Sequence, residues 1–450
     1  MPTPLLSRRR FLAQTTALTA ATAIAAPYVH GSTVGGKLSC GFWDHWVPSA
    51  NEPMRKLCME WAAKEKVDLT IDFITSVGDK LLMTLSAEAQ ARVGHDVLSF
   101  QLWYAAGQAE NLIALDDVMA ALIAENGAVA PSAEYLGRQE GRWIGVPGTW
   151  GNSNFPCVAR IDLFKQHCGI DLTKMYPAGG AADPALADAW TYDAFLKAAE
   201  QCHKAGVPFG LPMSDCTDAS NWIGSTFAAY GAEMVDKHGN VTVKSEAMTQ
   251  VLEWFKRFVA FVPREVWAWD NAGNNKWYVS GKGALIMNPP SAWAVAKRDA
   301  PKIAEQTWHF PAPKGPKGRF VPASNFFWGA WNFSKNQSAA KSLMHFLGQR
   351  AQAEKLVDAS QGFDLASFEK QHDFKTWIDQ APPAGTLYHY VPRGDVIGST
   401  CGAPAPTRIG TQMFVHGTMA KMINQATIGG RTIQQATDWA ASELDGFMRT

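Results

Sequence analysis

The spacing of apolar residues changes along this chain, and each spacing selects an element. Leu38–Phe42 is a short apolar run that ends in Trp43-Asp44-His45-Trp46. Pro53–Lys66 then places Met54, Leu57, Cys58, Trp61 and Ala62 at i, i+3, i+4, i+7 and i+8, a one-faced helix whose first turn suits Pro53. Val67, Leu69, Ile71 and Phe73 alternate with polar residues over Val67–Ile74, which predicts a strand. Leu81–Arg92 reads as a helix and Asp96–Phe100 as a further strand. This opening alternation of strands and helices is the start of a parallel α/β sheet.

Further along, Glu140-Gly141 separates two short β-like runs and predicts a hairpin leading to a crossing strand. Tyr176–Trp190, with Gly179, Gly180 and Pro184, reads as loosely structured. Thr191 should cap a helix whose apolar face is Tyr192, Phe195, Leu196, Ala199 and Cys202, stopped by Gly206 and Pro208. A third amphipathic helix covers Ser245–Val262, with Met248, Val251, Leu252, Phe255 and Val259 on one side. Ala284–Asn288 and Phe327–Phe333 read as strands, Pro311–Gly318 as a loop and Ser338–Leu347 as a helix. The tail is irregular after Asp358 and helical from about Thr411 to Met448.

The N-terminus adds a destination. Ser7-Arg8-Arg9-Arg10-Phe11-Leu12 precedes a stretch rich in Ala and Thr that reaches Ala26, and Ala23 and Ala25 offer a small-residue cleavage site. A charged start, an apolar middle and a small-residue end make an export signal over residues 1–25. The paired arginines resemble the bacterial twin-arginine pattern, with Ala13 in place of its usual Lys. The apolar stretch falls short of the ~20 residues of a membrane span.

The 450 residues hold 41 basic and 41 acidic side chains. Without Arg8, Arg9 and Arg10 the basic count falls to 38, so no surplus points to nucleic acid, whose phosphates would demand one. The seven cysteines are odd in number and irregular in spacing, which argues against a disulfide framework, although one pair could oxidise outside the cytoplasm. His167-Cys168 and Cys202-His203 are adjacent pairs rather than spaced ligand arrays, so no metal is expected. No Gly-rich phosphate loop precedes a helix, and no cofactor is expected.

Several phrases in this order resemble the family 1 extracellular solute-binding proteins, the maltose-binding-protein-like components of ABC importers. Phe42-Trp43-Asp44-His45-Trp46 resembles the family's first strand and its exit loop. Gly141-Arg142-Trp143-Ile144-Gly145-Val146-Pro147 resembles its D-G-K-x-Y-G-V-P hairpin, and Trp190-Thr191-Tyr192-Asp193-Ala194-Phe195 its T-W-D-E-F helix start. Gly281–Met287 resembles its G-K-A-A-M segment, with Trp293 at its helix-start Trp. Ser338–Leu347 resembles its K-E-A-A-W-E-F-I-K-F-L helix. The departures lie in Trp267–Asn275 and Pro382–Pro406. The resemblance implies a periplasmic-binding-protein-like (type II) α/β fold: two lobes, crossing strands and a cleft that closes by hinge motion. Mapped on this chain, lobe one would be 37–150 plus 284–330 and lobe two 151–283 plus 331–450. It implies a periplasmic protein, monomeric and not an enzyme, that carries a carbohydrate or polyol to ABC permease subunits.

A sugar has an apolar ring face and a polar rim, so its site wants aromatic planes beside hydrogen-bonding side chains. Ligands of open α/β sheets gather beyond the carboxyl ends of strands. The chain sets Trp beside polar residues at such exits: Trp43-Asp44-His45-Trp46, Trp103-Tyr104, Trp150 with Asn152 and Asn154, Asp218 to Trp222, Trp269-Asp270-Asn271, and Asn325 with Trp328. Together with Trp293 these are the candidate ligand-binding residues. Asp44 and Asp270 are the foremost acceptors for hydroxyls. Competing structural readings stay open: Asp44 as a helix cap, His45 as a packing residue, Asn152 and Asn154 as hinge or turn residues. Trp61 and Trp254 read as core. An anionic ligand would call for Arg142, Arg264 or Arg393. Two other classes compete. A glycoside hydrolase would need two carboxylates ~5–10 Å apart, such as Asp44 and Asp270 across the cleft. A cofactor-loaded redox protein would need a dinucleotide fingerprint or ordered cysteines, and the chain has neither.

Overall fold

The structure, a computed structural model, describes residues 34–177, 180–379 and 396–449. The export signal over residues 1–25 and the candidate Arg393 lie outside the described residues. β1 (Lys37–Trp43), α1 (Asn51–Glu65), β2 (Asp68–Ile74), α2 (Lys80–Ala91) and β3 (Val97–Gln101) follow the alternation expected from the sequence. β1 lies parallel to both β2 and β3, with Lys37 opposite Asp68 and Cys40 opposite Val97. α1 buries Met54, Leu57, Cys58, Trp61 and Ala62, the five residues of its apolar stripe. It ends where Lys66 turns left-handed at φ 57°.

After α3 (Asp116–Asn126) a tight hairpin joins Arg138–Gln139 to Arg142–Trp143. Its two central residues, Glu140 and Gly141, both have positive φ (50° and 83°), the twist that matches a two-residue hairpin turn. β4 (Val146–Pro147) then joins the first sheet, and β5 (Ser153–Asn154) and β6 (Cys157–Arg160) carry the chain away from it. Next come α4 (Tyr192–Lys204), α5 (Thr217–Tyr230), α6 (Glu246–Phe258), α7 (Gly273–Val279), β7 (Leu285–Met287) and β8 (Thr307–Phe310). The Thr191 hydroxyl accepts the Ala194 N–H and caps α4 as expected. The Ser245 hydroxyl does the same for α6 through Met248. Ala198 rather than Leu196 is buried on the α4 face, with Tyr192, Phe195, Ala199 and Cys202 as expected.

The chain returns through β9 (Gly318–Ser324) to β10 (Phe326–Ala330), α8 (Gln337–Gly348) and α9 (Arg350–Ala359), then closes with β11 (Val396–Ser399), α10 (Thr407–Val415), α11 (Thr418–Ala426) and α12 (Ile433–Arg449). The tail expected to be helical from about Thr411 is made of three helices, the first starting at Thr407. Gly417, at φ 58°, separates the first two.

The first sheet has the order β2-β1-β3-β10-β4, and a second has β8-β6-β7. β9 runs between them, pairing with β5 and β11. These pairings do not follow the boundaries read from the sequence. β7 and β8 both pair with β6 in the second sheet, whereas the mapped resemblance puts residues 284–330 in the first lobe. α8 packs on α1, α3 and β10, and α9 on α1, although residues after 331 were assigned to the second. Non-local strand pairing, which no local pattern encodes, decides this. α10 packs against Tyr104–Gly107 beside the first sheet, while α11 packs on α5 and α6.

Candidate ligand-binding cleft

A cavity of about 320 Å³ lies where loops from both sheets meet. The first sheet contributes Ser76, Gly78 and Asp79 from the loop after β2, Leu82 from α2, and Tyr104 from just beyond β3. The other side contributes Ser214, Asp215, Cys216 and Thr217 ahead of α5, and Trp267 to Asn271 ahead of α7. Phe414 and Val415 close one end. The first-sheet loops leave the carboxyl ends of parallel strands, where α/β sheets gather ligands.

The loop before α7 is firmly pinned. Met213 N–H donates to the Val266 carbonyl at 2.9 Å, and the Ser214 hydroxyl to the Trp269 carbonyl at 2.6 Å. Asp218 N–H donates to Asn271 Oδ1 at 3.1 Å, and Ala272 N–H to Asp270 Oδ1 at 3.0 Å. Gly273 is required beside Trp269: a Cβ there would sit 2.5 Å from Trp269 Cγ. Gly417 is required beside Asp215 in the same way, since its Cβ would meet the Asp215 Cβ at 2.5 Å. The Trp269 and Trp277 rings lie 5.6 Å apart, and the Tyr104 and Phe414 rings meet edge-on at 5.5 Å.

The cleft mixes aromatic faces (Trp267, Trp269, Tyr104, Phe414) with hydroxyls and three carboxylates, Asp79, Asp215 and Asp270; among the described residues its walls include no Lys, Arg or His. Behind it, the Asp218 carboxyl is buried, and its Oδ2 accepts from Asn274 Nδ2 at 2.9 Å. Burial pushes the Asp218 carboxyl up to about 7, with the nearby Asp270 charge adding to the rise and the Asn274 hydrogen bond opposing it. Burial also pushes the Cys216 thiol up to about 12 and raises the Tyr104 phenol. A second cavity of about 330 Å³ shares Ser214, Asp215 and Trp267 with the first and continues past Lys421, Asn424, Gln425 and Trp439.

Of the residues singled out in the sequence, Trp269, Asp270 and Asn271 line the cleft, and so does Tyr104 beside Trp103. Trp43 stands behind it: its Nε1 donates to Ser76 Oγ at 3.2 Å, and its ring is 2 % exposed among His45, Trp46, Phe326 and Phe363. Asp44 Oδ1 accepts from Asn51 Nδ2 at 2.7 Å at the start of α1. His45 pairs with Asp364 in the interior, and Trp46 is half-buried against Trp43. The other indoles are core. Trp103 donates to the Cys401 carbonyl, Trp150 to that of Trp43, and Trp222 to that of Pro212. Trp328 is 1 % exposed, and Trp293 lies under Lys297 Nζ at 3.8 Å. Asn152, Asn154 and Asn325 line a different cavity of about 450 Å³ beside the crossing strands. Among the described residues no three His, Cys, Asp or Glu side chains are grouped to hold a metal ion. No helix there is long and apolar enough to cross a membrane.

Sequence reasoning missed the Ser76–Asp79 loop, Ser214–Thr217, Trp267 and Phe414. The polar exit of β2 was the available signal for the first. For the rest only the tertiary pairing brings the segments together.

Residues 61–371 match the family model described as bacterial extracellular solute-binding protein, and the chain belongs to that family. Among solved structures it is similar to the maltose-bound MalE3 of T. maritima, at 17 % identity, TM-score 0.71, over 91 % of this chain and 99 % of that one. It is similar to an ABC transporter solute-binding protein of Thermotoga lettingae bound with α-D-tagatose, at 13 % identity and TM-score 0.73, over 92 % and 100 %. It is also similar to the GacH receptor of Streptomyces glaucescens, whose structures include an acarbose complex, at 18 % identity and TM-score 0.69, over 92 % and 99 %. These are type II periplasmic sugar-binding folds, and this chain has the same two-lobed α/β architecture. No curated protein sequence matches the chain.

Proposed function

We propose that this protein captures a sugar or polyol between its lobes in the periplasm and delivers it, chemically unchanged, to the permease of an ABC importer. The observation that carries this reading is the cleft itself: indole, phenol and phenyl faces interleaved with carboxylates, hydroxyls and an amide, supplied by both sheets. Aromatic planes take the ring face and the polar groups take the hydroxyls. The neighbours that bind maltose, tagatose and acarbose support the same ligand class. The twin-arginine signal supports export, and the protein acts as a monomer.

The lobes in this reading are 37–147 with 326–371, and 157–310 with 396–426. β5 and β9 lie at the crossing between them. Closing the lobes brings Tyr104 and Asp79 toward Trp269 and Asp270 and expels water from the sugar. The described lining favours a neutral or amine-bearing ligand over an acidic one. Three carboxylates line the cleft, Arg142 is spent on the Ala109 and Leu112 carbonyls, and Arg264 is not among the lining residues. The adjoining cavity past Trp267 leaves room for a second sugar ring, with Lys421 beyond it.

A thermal-shift series over neutral mono- and disaccharides, polyols, amino sugars and sugar acids tests this. A ligand at ~100 Kd stabilises by about 2.7 kcal/mol. A shift with neutral or amine-bearing sugars recovered intact supports the reading. A shift with acidic sugars alone, or turnover of a glycoside, overturns it.

A further inference from the structure

Two cysteines that the cleft does not use stand in contact. Cys168 ends the turn Phe164–Cys168, which Gly169 terminates in the left-handed region at φ 68°. Cys202 lies in the last turn of α4, and the two segments pack together. Their sulfurs are 3.6 Å apart, in van der Waals contact. Cys168 is half-buried and Cys202 buried, so solvent reaches the pair from the Cys168 side. Neither sulfur is committed to a stronger partner; Cys168 Sγ also lies 3.8 Å from the Ala198 carbonyl. Among the described residues no other two cysteine sulfurs are in contact. Of the remaining five, Cys40, Cys58, Cys157 and Cys401 are buried, and Cys216 sits in the cleft.

We propose that Cys168 and Cys202 form a disulfide once the protein meets an oxidising compartment, tying the Phe164–Cys168 turn to the end of α4. The proposal rests on the extracellular setting of the family and on this contact, not on the identity of the ligand. A small-molecule disulfide is the oxidant. Cys168 thiolate attacks one of its sulfurs, forming a mixed disulfide and releasing one thiolate. Cys202 then gives up its proton and attacks Cys168 Sγ, closing the protein disulfide and expelling the second thiolate. Two protein thiols are oxidised and one small disulfide is reduced to two thiols. The order follows from access, since Cys168 is the more exposed of the two, and the hydrogen bond between the sulfurs lowers its thiol while raising that of Cys202. Closing the bond needs the sulfurs to approach from 3.6 Å to about 2.05 Å, a movement of about 1.5 Å.

The test uses the mature protein, purified reduced and then equilibrated with oxidised and reduced glutathione. Intact mass should fall by two hydrogens, and a non-reducing tryptic map should join the peptide Gln166–Lys174 to Ala198–Lys204. The melting midpoint should drop when reductant is added, because the bond constrains the unfolded chain. Cys168→Ser should abolish both the mass loss and the reductant-sensitive part of the midpoint. Two alkylatable thiols at 168 and 202 after equilibration, or a linkage between other cysteines, would overturn the proposal. So would a Cys168→Ser variant that keeps the reductant effect. None of these readouts involves sugar binding, so a failed ligand screen leaves them standing.

Discussion

His45 Nε2 and Asp364 Oδ1 lie 3.0 Å apart with neither side chain reached by solvent. The same carboxylate oxygen accepts the Gly151 N–H at 2.8 Å, and Asp364 N–H donates to Ser360 Oγ. Three stretches far apart in sequence are thereby joined: the exit of β1, the approach to the crossing strands and the loop after α9. Burial raises the Asp364 carboxyl, and His45 and the Gly151 N–H oppose that rise. Removing the Asp364 carboxyl leaves His45 Nε2 and the Gly151 N–H buried without this partner, which typically costs about 1–3 kcal/mol for each group. Asp364→Ala should therefore lower the free energy of unfolding by that order in urea titration. The fraction that remains folded should bind ligand as the wild type does, because neither residue lines the cleft.

Trp269 lines the candidate cleft and Trp43 stands behind it. Trp269 presents its ring to the cleft, so Trp269→Ala should weaken sugar binding at least tenfold, about 1.4 kcal/mol, with little change in melting temperature. Trp43 is enclosed by four aromatic neighbours and reaches the cleft only through Ser76. Trp43→Ala should cost about 3–5 kcal/mol of stability through the cavity it leaves. Titration calorimetry and chemical unfolding of both variants check the contrast. Equal affinity loss with unchanged stability in the two would mean that Trp43 is a ligand contact.

Local pattern carried much of the architecture. The stripe Met54–Ala62 fixed α1, because a 3.6 period leaves only one face to bury. Glu140-Gly141 marked the hairpin through its turn chemistry. That Trp269-Asp270-Asn271 line the candidate cleft was legible for a related reason: an indole beside two polar groups after a run of loop residues has little reason to be core. The other tryptophans were not separable in this way. Trp150 and Trp222 also sit beside polar residues, but their Nε1 groups are satisfied by carbonyls brought in from elsewhere in the chain, a fact of tertiary structure. The membership of β7 and β8 in the second sheet was hidden for the same reason. Strand order is decided by partners more than a hundred residues away, as Thr307 opposite Arg160 illustrates.

Asp218 makes stability depend on pH in a defined direction. Its carboxyl titrates near 7 in the folded chain and near ~3.9 when unfolded. Between those values the folded state holds the proton more tightly, so stability falls as pH rises from about 4 to 7 and stays lowered above. Asp218→Asn keeps an acceptor for Asn274 Nδ2 and removes the charge that Asp270 opposes. The variant should match the wild type near pH 4 and exceed it by about 2–4 kcal/mol at pH 8. Thermal unfolding of both proteins across that range reads the difference. Parallel curves would show that Asp218 is ionised throughout.

Gly273 offers a way to disturb the cleft without touching a lining side chain. Its backbone is not in the left-handed region, so alanine is conformationally allowed, and at the start of α7 it would favour the helix by up to about 1 kcal/mol. Its Cβ, however, would stand 2.5 Å from Trp269 Cγ and 2.6 Å from Trp269 Cβ. Those atoms belong to the root of the side chain and to its ring, and the loop that holds them is fixed by Ser214 and Asn271. The indole must therefore swing or the loop must lift by close to an ångström. The helix gain and the steric cost oppose each other in stability, so the melting temperature should change by little. Binding has no such compensation, because a tilted indole no longer lies flat on a sugar ring. Gly273→Ala should weaken sugar affinity several-fold while leaving the far-ultraviolet spectrum unchanged. Unaltered affinity would place the sugar away from the Trp269 ring.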